Sequence, residues 1–309
     1  MAVAPATTRR SRALSYPRTT LPAEQAQTEG KQVETSQKAK ADAFRASHAD
    51  GVLVLPNAWD AGSAAVIAHA GDRAIATPSG GVSWTAARPD GQGLSRDDMA
   101  ALVGRIAAAV ELPVTADVEG GYGPAPADVA ATVRAVVAAG AVGINLEDND
   151  GGPLFTAEDQ AARLRAAREA AADAGLPELV VNVRTDVYLF QVGAPEGRFD
   201  EVVARAKAYA DAGADCLFVP GLTDLDTLAA LVRAVSLPVN AMAGPGAPAV
   251  RELAAAGVRR VSLGTSVAQA AYAVAHRATV EALSSGTYSA VEDSLDYSTL
   301  NGMFSGHQR

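Results

Sequence analysis

The sequence predicts a single (β/α)8 TIM-type barrel over residues 41–284, on three observations. Eight short apolar runs alternate with alanine-rich amphipathic stretches from Gly51 onward, as in repeated βα units of a parallel sheet. The runs show little polar alternation, which is typical of strands buried on both faces. Their entries alternate between Ala-Gly and Leu-Pro, which fits an eightfold closed barrel better than an open doubly wound sheet. The open sheet stays the alternative, because strand closure is not encoded in a local pattern.

Each element follows from a local signal. The predicted strands are residues 52–55, 74–77, 114–118, 143–147, 179–185, 216–219, 239–242 and 260–263. Ala-Gly precedes the even-numbered strands, where glycine can adopt the left-handed cap of the preceding helix. Leu-Pro precedes strands three, five and seven, where proline ends the helix before it and needs no ladder donor. A helix over residues 266–284 follows strand eight.

The two ends of the chain differ in composition from the barrel. Residues 1–40 carry Arg9, Arg10, Arg12 and Arg18 among Ser, Thr and Pro, with no acidic residue before Glu24. This composition predicts a disordered N-terminal tail, and an Arg-rich transit peptide is the alternative. Residues 285–309 are polar with spaced aromatic residues, which predicts a C-terminal tail that packs on a neighbouring subunit.

Composition excludes several classes of partner. The net charge of -9 and the pI near 5.0 argue against nucleic acid and against an anionic membrane, whose phosphates would be repelled. No run approaches the roughly 18 apolar residues of a membrane span. The single cysteine, Cys216, forbids an internal disulfide and indicates a reducing, cytoplasmic location.

Carboxylates follow two neighbouring strands where a parallel barrel exposes its chemistry. Asp117 and Glu119 end strand three, and Glu147 ends strand four. One intervening residue would place Asp117 and Glu119 on the same face of an extended strand, where like charges repel unless a cation lies between them. Oxygen ligands without His or Cys predict Mg²⁺, with Mn²⁺ as the substitute, and a solvated loop is the alternative. Three further acids fit a helix cap or an ion pair equally well: Asp60, Asp148 and Asp186.

The positions of the lysines, histidines and the cysteine exclude several kinds of catalytic site. The four lysines lie in or near the tail or, for Lys207, within an amphipathic run, so a Schiff-base aldolase is excluded. The four histidines lie on predicted helices or in the tail, which argues against a zinc site or a histidine base. Cys216 opens strand six, and a buried structural thiol is the interpretation there.

An arginine and a glycine-rich turn supply candidate substrate contacts. Arg184 lies in an apolar run, where a buried guanidinium needs an anionic partner, and it can pair a substrate carboxylate or phosphonate in bidentate fashion. Ser79-Gly80-Gly81 follows strand two and offers backbone N–H groups as an oxyanion cradle. The predicted substrate-binding set is Ser79, Gly80, Gly81, Trp59, Asn182 and Arg184. Core or lid packing is the alternative for Trp59.

At these residues the chain resembles the isocitrate lyase and phosphoenolpyruvate mutase superfamily over about residues 41–304. The resemblance rests on Asp117-Val118-Glu119-Gly120-Gly121-Tyr122-Gly123 followed by Leu146-Glu147-Asp148, with Ser79-Gly80-Gly81 and Arg184-Thr185-Asp186 in similar places. Asp90 matches the family's loop aspartate. The resemblance implies a Mg²⁺-dependent barrel that makes or breaks C–C or P–C bonds beside an α-oxo acid. It also implies a homotetramer, a dimer of dimers, whose paired subunits exchange the last helix.

The chain also departs from that family. The lyases carry a Lys-Arg/Lys-Cys-Gly-His loop after strand four, whose cysteine is the general acid, and residues 149–155 here contain neither cysteine nor a basic residue. Tyr122 and Asp90 are therefore the first candidates for proton transfer, with Arg184 as the third catalytic residue. The expected function is a Mg²⁺-dependent lyase acting through an enolate on a small carboxylate. A P–C bond mutase or hydrolase and a non-catalytic oxo-acid-binding barrel are the alternatives.

Overall fold

The computed structural model describes residues 36–305, which form eight parallel strands surrounded by helices. The strands are β1 Leu53–Leu55, β2 Ile75–Ala76, β3 Val114–Asp117, β4 Gly143–Glu147, β5 Val180–Arg184, β6 Cys216–Phe218, β7 Val239–Met242 and β8 Arg260–Ser262. The α-helices of this range are α1 Gln37–Ser47, α2 Ala61–His69, α3 Ser79–Thr85, α4 Arg96–Ala108, α5 Pro126–Ala138, α6 Ala157–Asp173, α7 Arg198–Asp211, α8 Leu225–Ala234, α9 Val250–Ala255, α10 Ser266–Ser284 and α11 Tyr297–Ser305. Two 3-10 helices cover Pro195–Gly197 and Ser289–Val291.

The strands pair in the order β1-β8-β7-β6-β5-β4-β3-β2, so the sheet curls until β1 and β2 meet. A parallel bridge between Asn57 and Ala76 joins these two edges, supported by a hydrogen bond of 2.8 Å from the Ala58 N–H to the Ala76 carbonyl. The predicted barrel is confirmed, and the open doubly wound alternative is wrong. Each of the eight predicted strands is present, with ends within about one or two residues of the prediction.

The Ala-Gly entries behave as predicted. The glycines after α2, α5, α7 and α9 all have positive φ, between 93° and 98°: Gly71, Gly140, Gly213 and Gly257. A left-handed residue reverses the chain directly after the helix, so the next strand starts beside its neighbour.

The N-terminal end of the barrel is closed by α1. The buried ring of Phe44 lies against β4, where a Cβ on Gly143 would come within 2.8 Å of the ring. Ser36 caps α1, and Gln37 donates to the carbonyls of Val137 and Ala141 at 2.9 Å. Residues 37–40 therefore belong to the barrel, and the predicted tail boundary at 40 is wrong by one helical turn. The rest of the predicted tail, residues 1–35, lies outside the described residues.

The C-terminal segment contains regular structure. α10 coincides with the predicted helix 266–284, and α11 packs against α2. Ala268 is the single buried residue of α10, so this long helix is exposed along most of its length in one subunit. Across residues 36–305, no helix combines the length and apolar character that crossing a membrane requires.

Candidate active site

A cavity of about 220 Å³ opens at the carboxyl ends of the strands. Its lining includes Asn57, Ser79, Asp90, Asp117, Asn145 and Arg184. A wider cleft of about 520 Å³ lies at the opposite end of the barrel, near the starts of β5 and β7, and contains none of the predicted site residues. The cavity at the carboxyl ends is the candidate active site, because this end of a parallel barrel carries the strand-following loops.

Asp117 lies at the end of β3 as a buried carboxylate held by backbone donors. Its Oδ2 accepts a hydrogen bond of 3.2 Å from the Ser79 N–H, and its Oδ1 accepts one of 3.1 Å from the Glu119 N–H. Burial raises the pKa of Asp117, although Arg184 and these donors oppose the rise. Both oxygens keep lone pairs beyond these bonds, because a carboxylate has about four acceptor positions.

The relation between Asp117 and Glu119 differs from the prediction. β3 ends at Asp117, and Glu119 has a φ of 50°, in the left-handed region, so the two do not share a face of one extended strand. The turn still brings the carboxylates together. Burial, followed by the charge of Asp117, raises the pKa of Glu119 to about 7.

Glu119 is held by two donors outside β3. Its Oε2 accepts from the N–H of Gln92, and its Oε1 accepts a hydrogen bond of 3.2 Å from the Tyr122 hydroxyl. Burial and the charge of Glu119 raise the pKa of Tyr122. Glu119 and Tyr122 are outside the lining of the cavity, beside Asp117, and Tyr122 also has a positive φ of 59°.

Arg184 is shared between two carboxylates. Its Nη1 lies 2.6 Å from Glu147 Oε1, and its Nε and Nη2 donate to Asp186 at 2.7 and 3.1 Å. Burial lowers the pKa of Arg184, but the charges of Glu147 and Asp186 outweigh burial and raise it. The Nε edge of the guanidinium is thus occupied by the protein, which leaves one N–H on each Nη for a substrate. Asp186 is confirmed as an ion-pair partner.

Ser79, Gly80 and Gly81 form the first turn of α3, where N–H groups have no intrahelical acceptor. The Ser79 N–H binds Asp117, so Gly80 and Gly81 retain the free donors of the predicted cradle. A Cβ on Gly81 would lie 2.9 Å from the Cβ of Trp59, and one on Gly80 would lie 3.0 Å from an Asp90 oxygen. A side chain at position 81 would clash with Trp59, and one at position 80 would require the Asp90 carboxylate to shift. Trp59 therefore supports the turn from outside the cavity lining, whereas Asp90 is part of that lining.

Asn182 and Asp148 lie beneath and behind the cavity. The Nδ2 of Asn182 donates to Asn145 Oδ1 at 2.5 Å, and it is Asn145 that reaches the cavity surface. Asp148 follows Glu147 directly but points outward, where it pairs with Arg205 at 3.1 Å and accepts from the Tyr209 hydroxyl at 3.0 Å. The ion-pair interpretation of Asp148 is confirmed, as is the cap interpretation of Asp60, which caps α2.

The short loop after β4 is fixed away from the cavity. Asn149 donates to Asp186 at 2.7 Å, and its carbonyl lies so close to Gly120 that a Cβ there would approach within 2.1 Å. Arg163 lies 4.2 Å from the Phe155 ring centre and donates to the carbonyls of Gly123 and Pro124. Within the described chain, residues 149–155 contribute no side chain to the cavity lining.

The donor set suits Mg²⁺ bound partly through water. Asp117, Glu119 and Glu147 are crowded carboxylates with raised pKa values, which is the electrostatic pattern of a site that a cation would neutralise. Across residues 36–305, no group of three or more His, Cys, Asp or Glu side chains is already arranged to enclose a metal. Mg²⁺ would therefore have to be held by one or two of these carboxylates and by water.

The carboxylate cluster predicts how stability depends on pH without metal. The pKa of Glu119 rises from its ordinary 4.5 to about 7, so the folded protein binds more protons than the unfolded chain between these values. The free energy of unfolding is expected to fall as pH rises through this interval, by up to about 3 kcal/mol. Urea titrations in EDTA measure the slope, and Glu119→Gln should reduce it. Stability that rises with pH across the same interval would contradict this assignment.

Sequence reasoning missed several residues that line the cavity. Asn145, Arg260 and Ser262 point inward from β4 and β8. Arg260 follows another arginine, Arg259, and opens its strand, so it lacks the preceding apolar run that identified Arg184. Thr77 was also missed, although its Oγ1 accepts from the Asp117 N–H at 2.9 Å.

Comparisons with known proteins agree with the fold. A sequence model described as phosphoenolpyruvate phosphomutase matches residues 44–283. A Mycobacterium tuberculosis protein of uncharacterised activity is 38% identical over 237 residues, covering 76% of this chain and 87% of that protein. The 2-methylisocitrate lyase of Escherichia coli is 32% identical, covering 64% of this chain and 68% of the enzyme. The crystal structure of a provisionally assigned lyase/mutase of Burkholderia cenocepacia superposes with a TM-score of 0.81 at 39% identity, covering 87% of this chain and 97% of that one.

Proposed function

The chain belongs to the phosphoenolpyruvate phosphomutase family, and on that premise we propose that it is a Mg²⁺-dependent carbon–carbon lyase. Its substrate would be a small 2-oxo or 2-hydroxy di- or tricarboxylate. The observation that carries the proposal is that Asp117, Asp90 and Arg184 line one cavity of about 220 Å³ beside the free N–H groups of α3. That volume suits a small acid, because drug-sized ligands occupy roughly 300–1,000 Å³.

The metal would be held at the carboxylate cluster. Asp117 would be the direct ligand in this proposal because it lines the cavity, whereas Glu119 and Glu147 lie outside that lining and would reach the ion through water. Bound Mg²⁺ would supply a Lewis acid for the substrate's oxo or hydroxy oxygen and adjacent carboxylate.

The protein's own groups would orient the acid and stabilise developing charge. The N–H groups of Gly80 and Gly81 and the two free N–H groups of Arg184 would bind the carboxylate and the oxygen that becomes negative as the bond breaks. Asp90 is the candidate for proton transfer, because it lines the cavity next to Gly80. Tyr122 donates a hydrogen bond to Glu119, and its raised pKa keeps the hydroxyl protonated in that role.

Two other functions have a specific observation in their favour. The family is named for a P–C bond reaction, which supports a phosphonate mutase or hydrolase. The loop 149–155 brings no acid to the cavity, which supports a barrel that binds an oxo acid without turnover. The second carboxylate of a lyase substrate differs in geometry from a phosphonate. Turnover of defined substrates therefore distinguishes the lyase, the P–C enzyme and the binding protein.

A substrate panel tests the proposal. Purified protein with Mg²⁺ is incubated with 2-methylisocitrate, isocitrate, oxaloacetate, dimethylmalate and phosphonopyruvate, and oxo-acid release and ³¹P shifts are followed. Turnover of a carboxylate supports the lyase. Turnover of phosphonopyruvate alone contradicts it in favour of P–C chemistry. Oxalate and Mg²⁺ that raise the melting temperature without any turnover would favour the binding protein.

We also propose that the chain is a homo-oligomer in which α10 packs on a partner. The helix exposes Tyr272, Val280 and Leu283 on one face, where Leu283 is 84% exposed, and exposed apolar side chains that share a face indicate an interface. Val280→Glu with Leu283→Glu is expected to shift the protein to monomers in light scattering. Ala270→Glu, which is exposed on the other side of the same helix, is the control. An unchanged mass in the double variant would contradict the proposal.

A further inference from the structure

Arg260 forms part of the floor of the candidate active site. It opens β8 at the N-terminal side of the barrel and is 2% exposed, yet its side chain lines the same cavity as Asp117 and Arg184. TIM-barrel interiors are normally filled by branched apolar side chains. A fully buried guanidinium in that layer therefore calls for an anionic partner.

The described chain provides no such partner. The Nε and Nη1 of Arg260 are buried, and no atom of residues 36–305 accepts a hydrogen bond from them. The one specific contact is with the ring of Phe44, 5.8 Å from the guanidinium carbon, at the limit of a cation–π interaction. Other buried arginines are satisfied: Arg163 donates to three carbonyls and Gln160, and Arg205 pairs with Asp148.

The ionisable groups around Arg260 do not neutralise it. Burial raises the pKa of the Cys216 thiol to about 12, so Cys216 is uncharged at neutral pH. Burial also lowers the pKa of His48 to about 4, so this ring is neutral too. Asp117 acts on Arg260 only through its field, without an ion pair. Burial lowers the pKa of Arg260 to about 10, which still leaves it cationic in neutral solution.

A second unsatisfied group lies in the same lining. The Thr115 Oγ1 is buried without a hydrogen-bond partner among the described residues, and Thr115 lines the cavity with Arg260. A hydroxyl and a guanidinium are both donors to an oxyanion. Arg184, by contrast, already shares its charge with Glu147 and Asp186.

We propose that Arg260 binds the second anionic group of the substrate, a carboxylate or a phosphonate, at the floor of the cavity. Thr115 provides a further donor there. The oxo or hydroxy acid end then occupies the upper part, beside Asp117 and the first turn of α3. The substrate class rests on the proposed function, whereas the buried, unpartnered cation does not. Arg260 is thus a binding residue that selects dianionic over monoanionic acids.

Three acids that share one end and differ at the other test this assignment. Lactate, malate and phosphonolactate have the same 2-hydroxy acid end and carry hydrogen, a carboxylate or a phosphonate on the third carbon. Their dissociation constants are measured by calorimetry with Mg²⁺ present. The unchanged protein should bind malate or phosphonolactate more tightly than lactate. Arg260→Met should weaken the preferred dianion about ten- to hundredfold and leave lactate within about twofold, because only the dianion reaches the floor.

Ligand-free stability gives a second, independent readout. Arg260→Met should melt at a higher temperature than the unchanged protein, because a buried unpaired charge is replaced by an apolar chain of similar length. Arg205→Met, which removes a paired buried arginine outside the cavity, should melt lower and keep the same preference between acids. Arg260→Lys should retain part of the preference.

Three results would overturn the assignment. The first is a protein that binds lactate as tightly as both dianions. The second is an Arg260→Met variant that keeps the original preference. The third is a lower melting temperature for ligand-free Arg260→Met, which would make the arginine a structural group. A preference for malate identifies the carboxylate, and one for phosphonolactate identifies the phosphonate. Binding without turnover of any panel acid would contradict the lyase and still support Arg260, so the two failures are distinguishable.

Discussion

Asp117→Asn is expected to lower turnover of the preferred panel acid by roughly a hundred- to thousandfold. The amide keeps the shape of the carboxylate, but it removes the negative charge that would bind the metal directly. Asp117 is the predicted metal ligand that lines the cavity, whereas Glu119 and Glu147 lie beside it. Steady-state kinetics over a range of Mg²⁺ concentrations measure the effect. The stabilisation by Mg²⁺ in thermal melts should disappear with it.

Asp60→Asn is the matched control. Asp60 also follows a strand, but its side chain caps α2, and asparagine caps a helix nearly as well. Its turnover and its response to Mg²⁺ should stay within about twofold of the unchanged protein. Metal-free Asp117→Asn should lose about 1–3 kcal/mol of stability, because the amide nitrogen cannot accept one of the two backbone hydrogen bonds that the carboxylate accepts. Full activity in Asp117→Asn would show that this carboxylate does not hold the metal.

Arg205→Met is expected to lower the free energy of unfolding by about 3–5 kcal/mol. Its Nη1 lies 3.1 Å from Asp148, which is fully buried, and also donates to the Phe155 carbonyl at 2.9 Å. Without the arginine, Asp148 becomes a buried carboxylate with the Tyr209 hydroxyl and the Asp186 N–H as its remaining donors. Urea titrations measure the loss as a lower midpoint.

Lys207→Met is the control for that variant. It lies on the same helix and pairs with Asp211 four residues on, but both side chains are largely exposed. Such a pair contributes about 0.3–0.5 kcal/mol. Adding Asp148→Asn to Arg205→Met should recover part of the stability, because the unpaired charge is removed as well. Equal losses in Arg205→Met and Lys207→Met would contradict the structural role of the buried pair.

The fold was predictable from sequence because its signals are local and repeat. Left-handed glycines after helices and prolines before strands act within a few residues, and their alternation marks eight units. The boundary at residue 40 was wrong because composition marked a polar segment, whereas Gln37 anchors α1 through hydrogen bonds to α5 and to the loop after it. Those contacts are about a hundred residues away in sequence.

The sequence predicted which residues belong to the candidate site, but not which residues contact each other there. Strand-end carboxylates identified Asp117, Glu119 and Glu147, since parallel strands bring their carboxyl ends to one face. The same pattern gave no way to see that Glu147 faces Arg184 while Asp148, its neighbour, faces Arg205. Successive side chains of a strand point to opposite sides, and which side holds the partner depends on the helix packed behind it.

The sequence by itself determined the barrel and the end of it at which the candidate site lies, because the order of strands and helices is local information. It also determined the oxygen ligands, because these follow from residue type. Only the tertiary structure decided which charges are neutralised. It showed Arg184 shared by two carboxylates, Glu119 turned by a left-handed backbone, and Arg260 buried at the cavity floor without a hydrogen-bond acceptor among residues 36–305. Charge neutralisation depends on distances between residues far apart in the chain, and a linear pattern does not contain those distances.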